Sequence, residues 1–302
     1  MISAIALDGG GSDRGHGLER LRAFLRMIRP INCLMTGLAV LVGALIALAI
    51  PGPGGVAHRL PLGFSTGFLL TGASMAINDY YDRHIDAINE PDRPIPSGLI
   101  KPWEALALTA ALAALGLLAA HLTSPECFAI ALASLATSLL YSTRGKRTGL
   151  IGNLMVSACV AIPFIYGGFV AGRGLEPLLG IFASMAFLSN AGREVTKGIA
   201  DAEGDRARGI RTVAVAKGGR TAAELALALF SLAMALSAIP PILGLVSAWY
   251  VPPVIIADLG FLRSSLRVLR NPSRLEALKA KKSALLWMAL GMAAFLAGSL
   301  TR

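Results

Sequence analysis

Nine long apolar runs dominate this 302-residue chain, at approximately residues 31–50, 61–80, 102–122, 125–141, 151–172, 175–196, 221–239, 240–262 and 284–300. A helix needs about 20 residues to cross roughly 30 Å of hydrocarbon, and most of these runs reach that length. In lipid every backbone N–H and C=O must find a partner within the chain, so runs of this kind fold as helices. The expected fold is therefore all-α: an integral membrane protein with nine transmembrane helices in a single domain over residues 18–302. The breaks at Pro125 and at Pro240-Pro241 are the weakest boundaries, because proline alone marks them. Charged residues make up only 15% of the chain, against roughly 25% in a soluble domain.

The segments between the runs test that division. Lys and Arg gather in short cytoplasmic loops. Taken alternately along the chain, one set of segments holds 25 of the 28 Lys and Arg and the other holds 3. The expected topology has a cytoplasmic N-terminus in a multi-pass cell-membrane protein. The net charge of +10 does not point to nucleic acid, since the basic residues form no continuous stripe and lie where loops meet an anionic lipid surface. Residues 1–17, rich in Gly and Asp, read as a disordered tail, and no signal-peptide cleavage site follows the first run. Leu18, Leu21, Leu25 and Ile28 recur at helical spacing among Arg20, Arg22, Arg26 and Arg29, the pattern of a helix lying in the interface. Cys33, Cys127 and Cys159 stand singly, without metal-ligand or disulfide spacing, and read as small core residues.

The acids carry the chemistry. Of 18, five lie within residues 79–92 and four within 194–205, so half the negative charge sits in two short stretches at the expected cytoplasmic ends of the second and sixth runs. A carboxylate at a membrane-helix centre costs about 2.5–3.5 kcal/mol and less near an end, so clustering several calls for bound cations. Asn78, Asp82 and Asp86 are spaced by four and share a helix face, and Asp201 and Asp205 repeat the spacing. Mg²⁺ prefers oxygen ligands and is usually held by one or two carboxylates plus substrate phosphate. Two such pairs would hold a diphosphate between them through Mg²⁺. Asn78, Asp82 and Asp86 overlay Lys197, Asp201 and Asp205 at a constant offset of 119 residues, a weak parallel tandem repeat whose copies can face each other across a central cavity. Arg93, Lys146 and Lys197 are the cations placed to neutralise the ligand.

Ordinary structural roles compete at several of these positions. The aspartates could be solvated helix-end acids, Arg93 a turn residue between Asp92 and Pro94, and Tyr141 and Lys146 an interfacial anchor and an orientation charge. Asp258, alone near the end of the eighth run, reads as a solvent-reaching or Arg-paired group.

The stretch Asn78-Asp79-Tyr80-Tyr81-Asp82-Arg83-His84-Ile85-Asp86, followed by Asp92-Arg93-Pro94-Ile95-Pro96-Ser97-Gly98, resembles the first signature of the UbiA-type intramembrane prenyltransferases. The second signature is similar to Arg193-Glu194-Val195-Thr196-Lys197 through Asp201-Ala202-Glu203-Gly204-Asp205, and Arg29-Pro30-Ile31-Asn32 and Tyr141-Ser142 with Lys146 also match family positions. The resemblance spans roughly residues 20–300. It implies nine membrane helices around a central cavity and transfer of a prenyl group from a prenyl diphosphate to a lipophilic acceptor. In the family, Mg²⁺ is held by residues matching Asn78, Asp82, Asp86, Asp201 and Asp205.

In the expected mechanism Arg93, Lys146 and Lys197 hold diphosphate oxygens, Asn32 and Arg193 are further substrate contacts, and Tyr141 stabilises the allylic cation through its ring face. The context of the second signature is most similar to the archaeal branch that transfers geranylgeranyl from geranylgeranyl diphosphate to geranylgeranylglyceryl phosphate in ether-lipid synthesis. Gly198-Ile199-Ala200 departs from that branch, which carries an acid after the lysine, and so an aromatic acceptor such as 4-hydroxybenzoate or a quinone precursor stands as the alternative. Outside the family, a cation or lipid transporter built on a tandem repeat would place its ionisable residues nearer the midplane. The Asp-Gly-x-x-Ala-Arg signature of CDP-alcohol phosphotransferases does not occur.

Overall fold

The computed structural model describes residues 11–49, 56–207 and 209–302, and these are helical almost throughout, with no strand among them. The helices are α1 (Gly11–Ile28), α2 (Pro30–Leu48), α3 (Leu60–Asn89), α4 (Pro102–Thr123), α5 (Pro125–Thr143), α6 (Leu150–Val170), α7 (Pro177–Ala200), α8 (Ala202–Ala207), α9 (Val213–Lys217), α10 (Gly219–Ser237), α11 (Ile239–Ile242), α12 (Val251–Arg270) and α13 (Arg274–Leu300). Proline opens α2, α4, α5 and α7, where its missing N–H costs no helical hydrogen bond. Ser124 alone separates α4 from α5, ending the first and accepting from the Cys127 N–H at 3.1 Å to cap the second.

Among the described residues, seven helices are long and apolar enough to cross a membrane. Each of the nine expected runs has a helix, but α7 and α12 fall outside those seven. Both carry their polarity within the helix: Asn190, Arg193, Glu194 and Lys197 in α7, and Asp258, Arg263 and Arg267 in α12. The eighth run differs from expectation. Its first residues form the short α11 and a turn through Gly244, which has a φ of +63°, and α12 begins only at Val251. The Pro240-Pro241 pair cannot supply the N–H groups of a continuing helix. The second run, by contrast, continues as helix to Asn89, so the whole first acidic segment is helical. Of the expected disordered tail, residues 1–10 lie outside the described residues and residues 11–17 open α1.

Large apolar side chains such as Leu106, Leu118, Leu232 and Leu286 face outward, the reverse of a water-soluble core. Inside, small residues let backbones touch. A Cβ on Gly43 would lie 2.1 Å from the Phe164 carbonyl oxygen and one on Gly167 2.2 Å from that of Val40, so α2 and α6 cross at glycine. Phe164, Phe182, Phe295 and Tyr250 run through the centre at centroid separations of 4.6, 4.3 and 5.1 Å, tilted, stacked and edge-to-face in turn. α13 packs against α2, α7 and α12, so the last helix returns to the first of the bundle.

One end of this bundle collects the chemistry. Lys146, just past α5, reaches Asp82 of α3, and Arg29, just before α2, reaches Asp79. A Cβ on Gly149 would meet the Arg211 carbonyl at 2.2 Å, and one on Gly219 would lie 3.4 Å from Pro272 and 3.7 Å from Ile199. The C-terminal ends of α3, α5, α7 and α12 therefore share one end with the start of α2.

Candidate active site at the polar mouth of an apolar cavity

Because α3 stays helical through Asn89, its acids divide between adjoining faces. Asn78 Nδ2 donates to Asp82 Oδ2 at 2.9 Å, and Lys146 Nζ donates to Asp82 Oδ1 at 2.6 Å. Beside them, Asp79 and Asp86, seven apart, are both buried and both accept from Arg93 Nη1, at 3.2 and 3.0 Å. Arg93 also donates through Nε to Glu90 at 2.6 Å, and Asp79 takes a second cation, Arg29, at 2.8 Å. Glu90 lies beyond the apolar part of α3, and the Arg93 hydrogen bond and charge hold its carboxyl below the usual range. The segment between Asp92 and Lys101 is thus more than a turn, since it aims Arg93 back across three carboxylates.

Its position is braced from α1. Arg20 pairs with Glu104, Arg26 donates to the Asp92 carbonyl at 3.1 Å, and Ala23 and Met27 pack with Ile95 and Ile100. Arg29 itself is the one non-glycine described residue at positive φ, with φ 51° and ψ 72°. The α region is disfavoured before Pro30, and in the left-handed conformation its guanidinium reaches Asp79 and the sulfur of Met75, 3.3 Å away.

The second acidic segment is built differently. α7 ends at Ala200 with Asp201 as its cap, and the Asp205 N–H donates to the Asp201 carbonyl at 2.9 Å, so one helical turn still relates the two. Lys197 does not reach forward to Asp201 in the way Asn78 reaches Asp82. It turns back to Glu194 at 3.2 Å, and Arg193 donates to the same carboxylate at 2.6 Å. The 119-residue register therefore holds in spacing and fails in side-chain pairing, because buried Glu194 competes for the lysine. Tyr141, on the last turns of α5, lines the cavity mouth together with Asn78.

Behind this mouth a cavity of about 780 Å³ runs into the bundle, in the upper part of the roughly 300–1,000 Å³ range of small-molecule sites. Arg29, Asn32, Asn78 and Tyr141 line its polar end, and its walls are largely aliphatic and aromatic, down to Phe182 and Phe295. Asp258 lines it too. It accepts from Ser237 Oγ at 2.7 Å and has no Arg partner among the described residues, so the Arg pairing that its sequence position allowed is not formed, and it faces the cavity half-buried.

The structure thus brings Asn78, Asp82, Lys146 and Tyr141 together, with Asn32 on the same cavity and Arg93 beside Asp86. Asp201 and Asp205 remain a second half, and no cluster of three or more acidic, His or Cys ligands forms among the described residues. In the first half Asp79, Asp82 and Asp86 each meet a Lys or Arg, and in the second Arg193 and Lys197 both pair with Glu194, as buried carboxylates without a bridging cation favour. The donors are all oxygens, without His or Cys. That set fits a hard divalent cation, which needs only one or two carboxylates when phosphate completes its shell. Sequence reasoning missed the Arg29–Asp79 pair, whose partners lie 50 residues apart, and the Glu194 clamp, whose i,i+3 spacing to Lys197 was a readable signal set aside in favour of Asp201 four residues on. For Arg29 the signal available was a basic residue immediately before a helix-starting proline.

An apolar cavity inside a bundle of membrane-length helices, opening on clustered acids and bases, is the architecture of an intramembrane site for an amphipathic molecule. A model of the UbiA prenyltransferase family matches residues 38–296, and the chain belongs to that family and is a multi-pass membrane prenyltransferase. It is 35% identical over 282 residues to the digeranylgeranylglyceryl phosphate synthase of Thermococcus sibiricus, covering 93% of this chain and 99% of that one. It is 38% identical over 281 residues to the enzyme of the same name from Methanopyrus kandleri, covering 93% and 100%. A solved digeranylgeranylglyceryl phosphate synthase structure superposes with a TM-score of 0.84 at 29% identity, over 94% of this chain and 100% of that one. A UbiA homolog from Archaeoglobus fulgidus, solved with GPP and Mg²⁺, shares the fold at a TM-score of 0.65 and 20% identity, over 90% and 99%.

Proposed function

We propose that this chain transfers the geranylgeranyl group of geranylgeranyl diphosphate to geranylgeranylglyceryl phosphate, as a step of archaeal ether-lipid synthesis. The observation that carries the proposal is the union of one long apolar cavity with a mouth where Arg29, Asn32, Asn78 and Tyr141 meet. A donor with a polyprenyl tail and a diphosphate head has that shape and polarity. The acceptor also needs apolar room for its tail and a cation for its phosphate, and Arg29 at the mouth suits a phosphate monoester. An aromatic acid needs far less of the cavity. The names of the curated relatives support the same acceptor.

In this reading the bundle is a single domain of nine membrane helices, α7 and α12 included, with the acidic end facing the cytoplasm. The charge asymmetry of the loops supports that orientation. Asn78, Asp82 and Asp86 on one side and Asp201 and Asp205 on the other would hold Mg²⁺, which when bound supplies positive charge against the leaving diphosphate. Lys146, Lys197 and Arg93 exchange part of their carboxylate bonding for diphosphate oxygens, with Arg193 steadying Glu194 behind them. The allylic C–O bond breaks, the diphosphate leaves with the bonding pair, and the acceptor hydroxyl oxygen bonds to C1 and passes its proton to a departing diphosphate oxygen. Tyr141 presents its ring at the mouth, where an aromatic face stabilises allylic positive charge. The apolar walls keep water from that carbon.

The test is an assay of purified protein with Mg²⁺ and prenyl diphosphates of graded length, offering geranylgeranylglyceryl phosphate against 4-hydroxybenzoate. The ether lipid product is expected, and preference for the aromatic acid would overturn the acceptor. Accumulation of cargo in proteoliposomes with no prenyl product would favour a transporter instead.

A further inference from the structure

The one carboxylate in the cavity wall away from the mouth is Asp258. An ionisable residue inside a membrane bundle is retained for a reason, and the transfer chemistry at the mouth does not use this one. Its only hydrogen-bonding partner among the described residues is Ser237, at 2.7 Å. That hydroxyl has a single proton and also lies 2.7 Å from the Met234 carbonyl. Tyr250, fully buried, donates to the Ser237 carbonyl at 2.8 Å and fixes the pair in place. Asp258 is therefore a firmly held polar group with spare hydrogen-bonding capacity, set in an apolar wall.

Its depth can be counted along the helices. Gly192 of α7 packs on Phe230, which stacks on Phe261 of α12 at 4.9 Å, so Gly192 and Phe261 lie at similar depth. Nine residues of α7 separate Gly192 from Asp201, and Asp258 lies three residues of α12 beyond Phe261, away from the mouth. Counted along the axes of α7 and α12 at 1.5 Å per residue, Asp258 is about 18 Å below Asp201. An extended chain advances about 1.2 Å per bond, so that depth corresponds to about 15 bonds. A polyprenyl chain has four main-chain bonds per isoprene unit, so this is about four units. The cavity does not stop there. Val254, one turn farther along α12, and Phe295 also line it, which leaves room for one more unit.

We propose that Asp258, held by Ser237, sets the length of prenyl tail this enzyme accepts, admitting four isoprene units and rejecting a fifth. A tail reaching past this level would strip water from Asp258 and offer it no hydrogen bond in return. The assignment deepens the proposed function, since it takes the cavity to be the tail site.

The experiment compares diphosphates with C15, C20 and C25 tails in the wild type, Asp258→Leu and Asp258→Asn. Two readouts are used: turnover with a fixed acceptor, and thermal stabilisation by each diphosphate with Mg²⁺. The wild type is expected to discriminate against C25. Asp258→Leu, of similar size and apolar, should raise the C25-to-C20 ratio of kcat/KM about tenfold with C20 turnover retained, a one-group desolvation effect. Asp258→Asn keeps the shape and a polar surface, folds where Leu does not, and should move the ratio the same way by less. A wild type that takes C25 as readily as C20 overturns the proposal, and so does an unchanged ratio in both variants. Absence of turnover with any donor, alongside length-dependent stabilisation, would count against the acceptor and leave the length measurement readable.

Discussion

Arg93 bonds Asp86 and Glu90 through different nitrogens and reaches Asp79 as well, so its worth lies in a rigid fork that a lysine cannot copy. Arg93→Lys is expected to keep the charge and lose most of the turnover, by about one to two orders of magnitude for two charge-assisted bonds. A steady-state assay on variant protein with an unchanged melting curve checks it. The Glu90 bond also makes a pH prediction. Its carboxyl is held below the ordinary value of 4.5 in the fold, so its stabilising effect is present above that value and is lost as pH falls through the folded one. The side chain is 60% exposed, so solvent screening keeps the effect to within about 1 kcal/mol. Melting temperatures of wild type and Glu90→Gln in detergent should differ slightly at neutral pH, begin to close below about pH 4.5 and meet once pH passes below the depressed folded value, whereas a gap that widens on acidification contradicts the pairing.

The α2–α6 crossing depends on two missing side chains. Gly167→Ala places a methyl 2.2 Å from the Val40 carbonyl, and because that neighbour is backbone the helices must part. Overpacking of this kind costs about 1–3 kcal/mol or more, so the variant should melt several degrees lower, while Gly291→Ala, inside α13 with nothing within 4 Å of the added methyl, should melt at or slightly above the wild type. Helices of this length were readable in the sequence because hydrocarbon leaves the backbone no alternative, and their apolar runs needed no knowledge of neighbours. What could not be read was set between elements. That α12 starts at Val251 depends on how Pro240-Pro241 turns, and the pairing of Lys197 with Glu194 over Asp201 depends on where α7 ends. The acids of the site were visible as an improbable concentration of charge, whereas Arg29 and Asp258 were ordinary residues until packing gave them partners.

At the scale of the whole molecule, an acid-rich end opens onto an apolar interior, and Tyr141 and Asn78 both line the cavity where the two meet. Replacing Tyr141 with Phe keeps the ring and should retain most activity, while Tyr141→Ala should lose about tenfold or more in kcat, in line with a desolvated cation–aromatic contact. Equal loss in both variants would assign the role to the hydroxyl. The central claim is that α3 and the α7–α8 junction together make one diphosphate site. Its most direct test is titration calorimetry of geranylgeranyl diphosphate into wild type, Asp82→Ala and Asp201→Ala, each with and without Mg²⁺. Both variants are predicted to stay folded and to lose Mg²⁺-dependent binding and turnover. Mg²⁺-dependent binding by Asp201→Ala equal to that of the wild type would contradict the account, leaving α3 alone as the site.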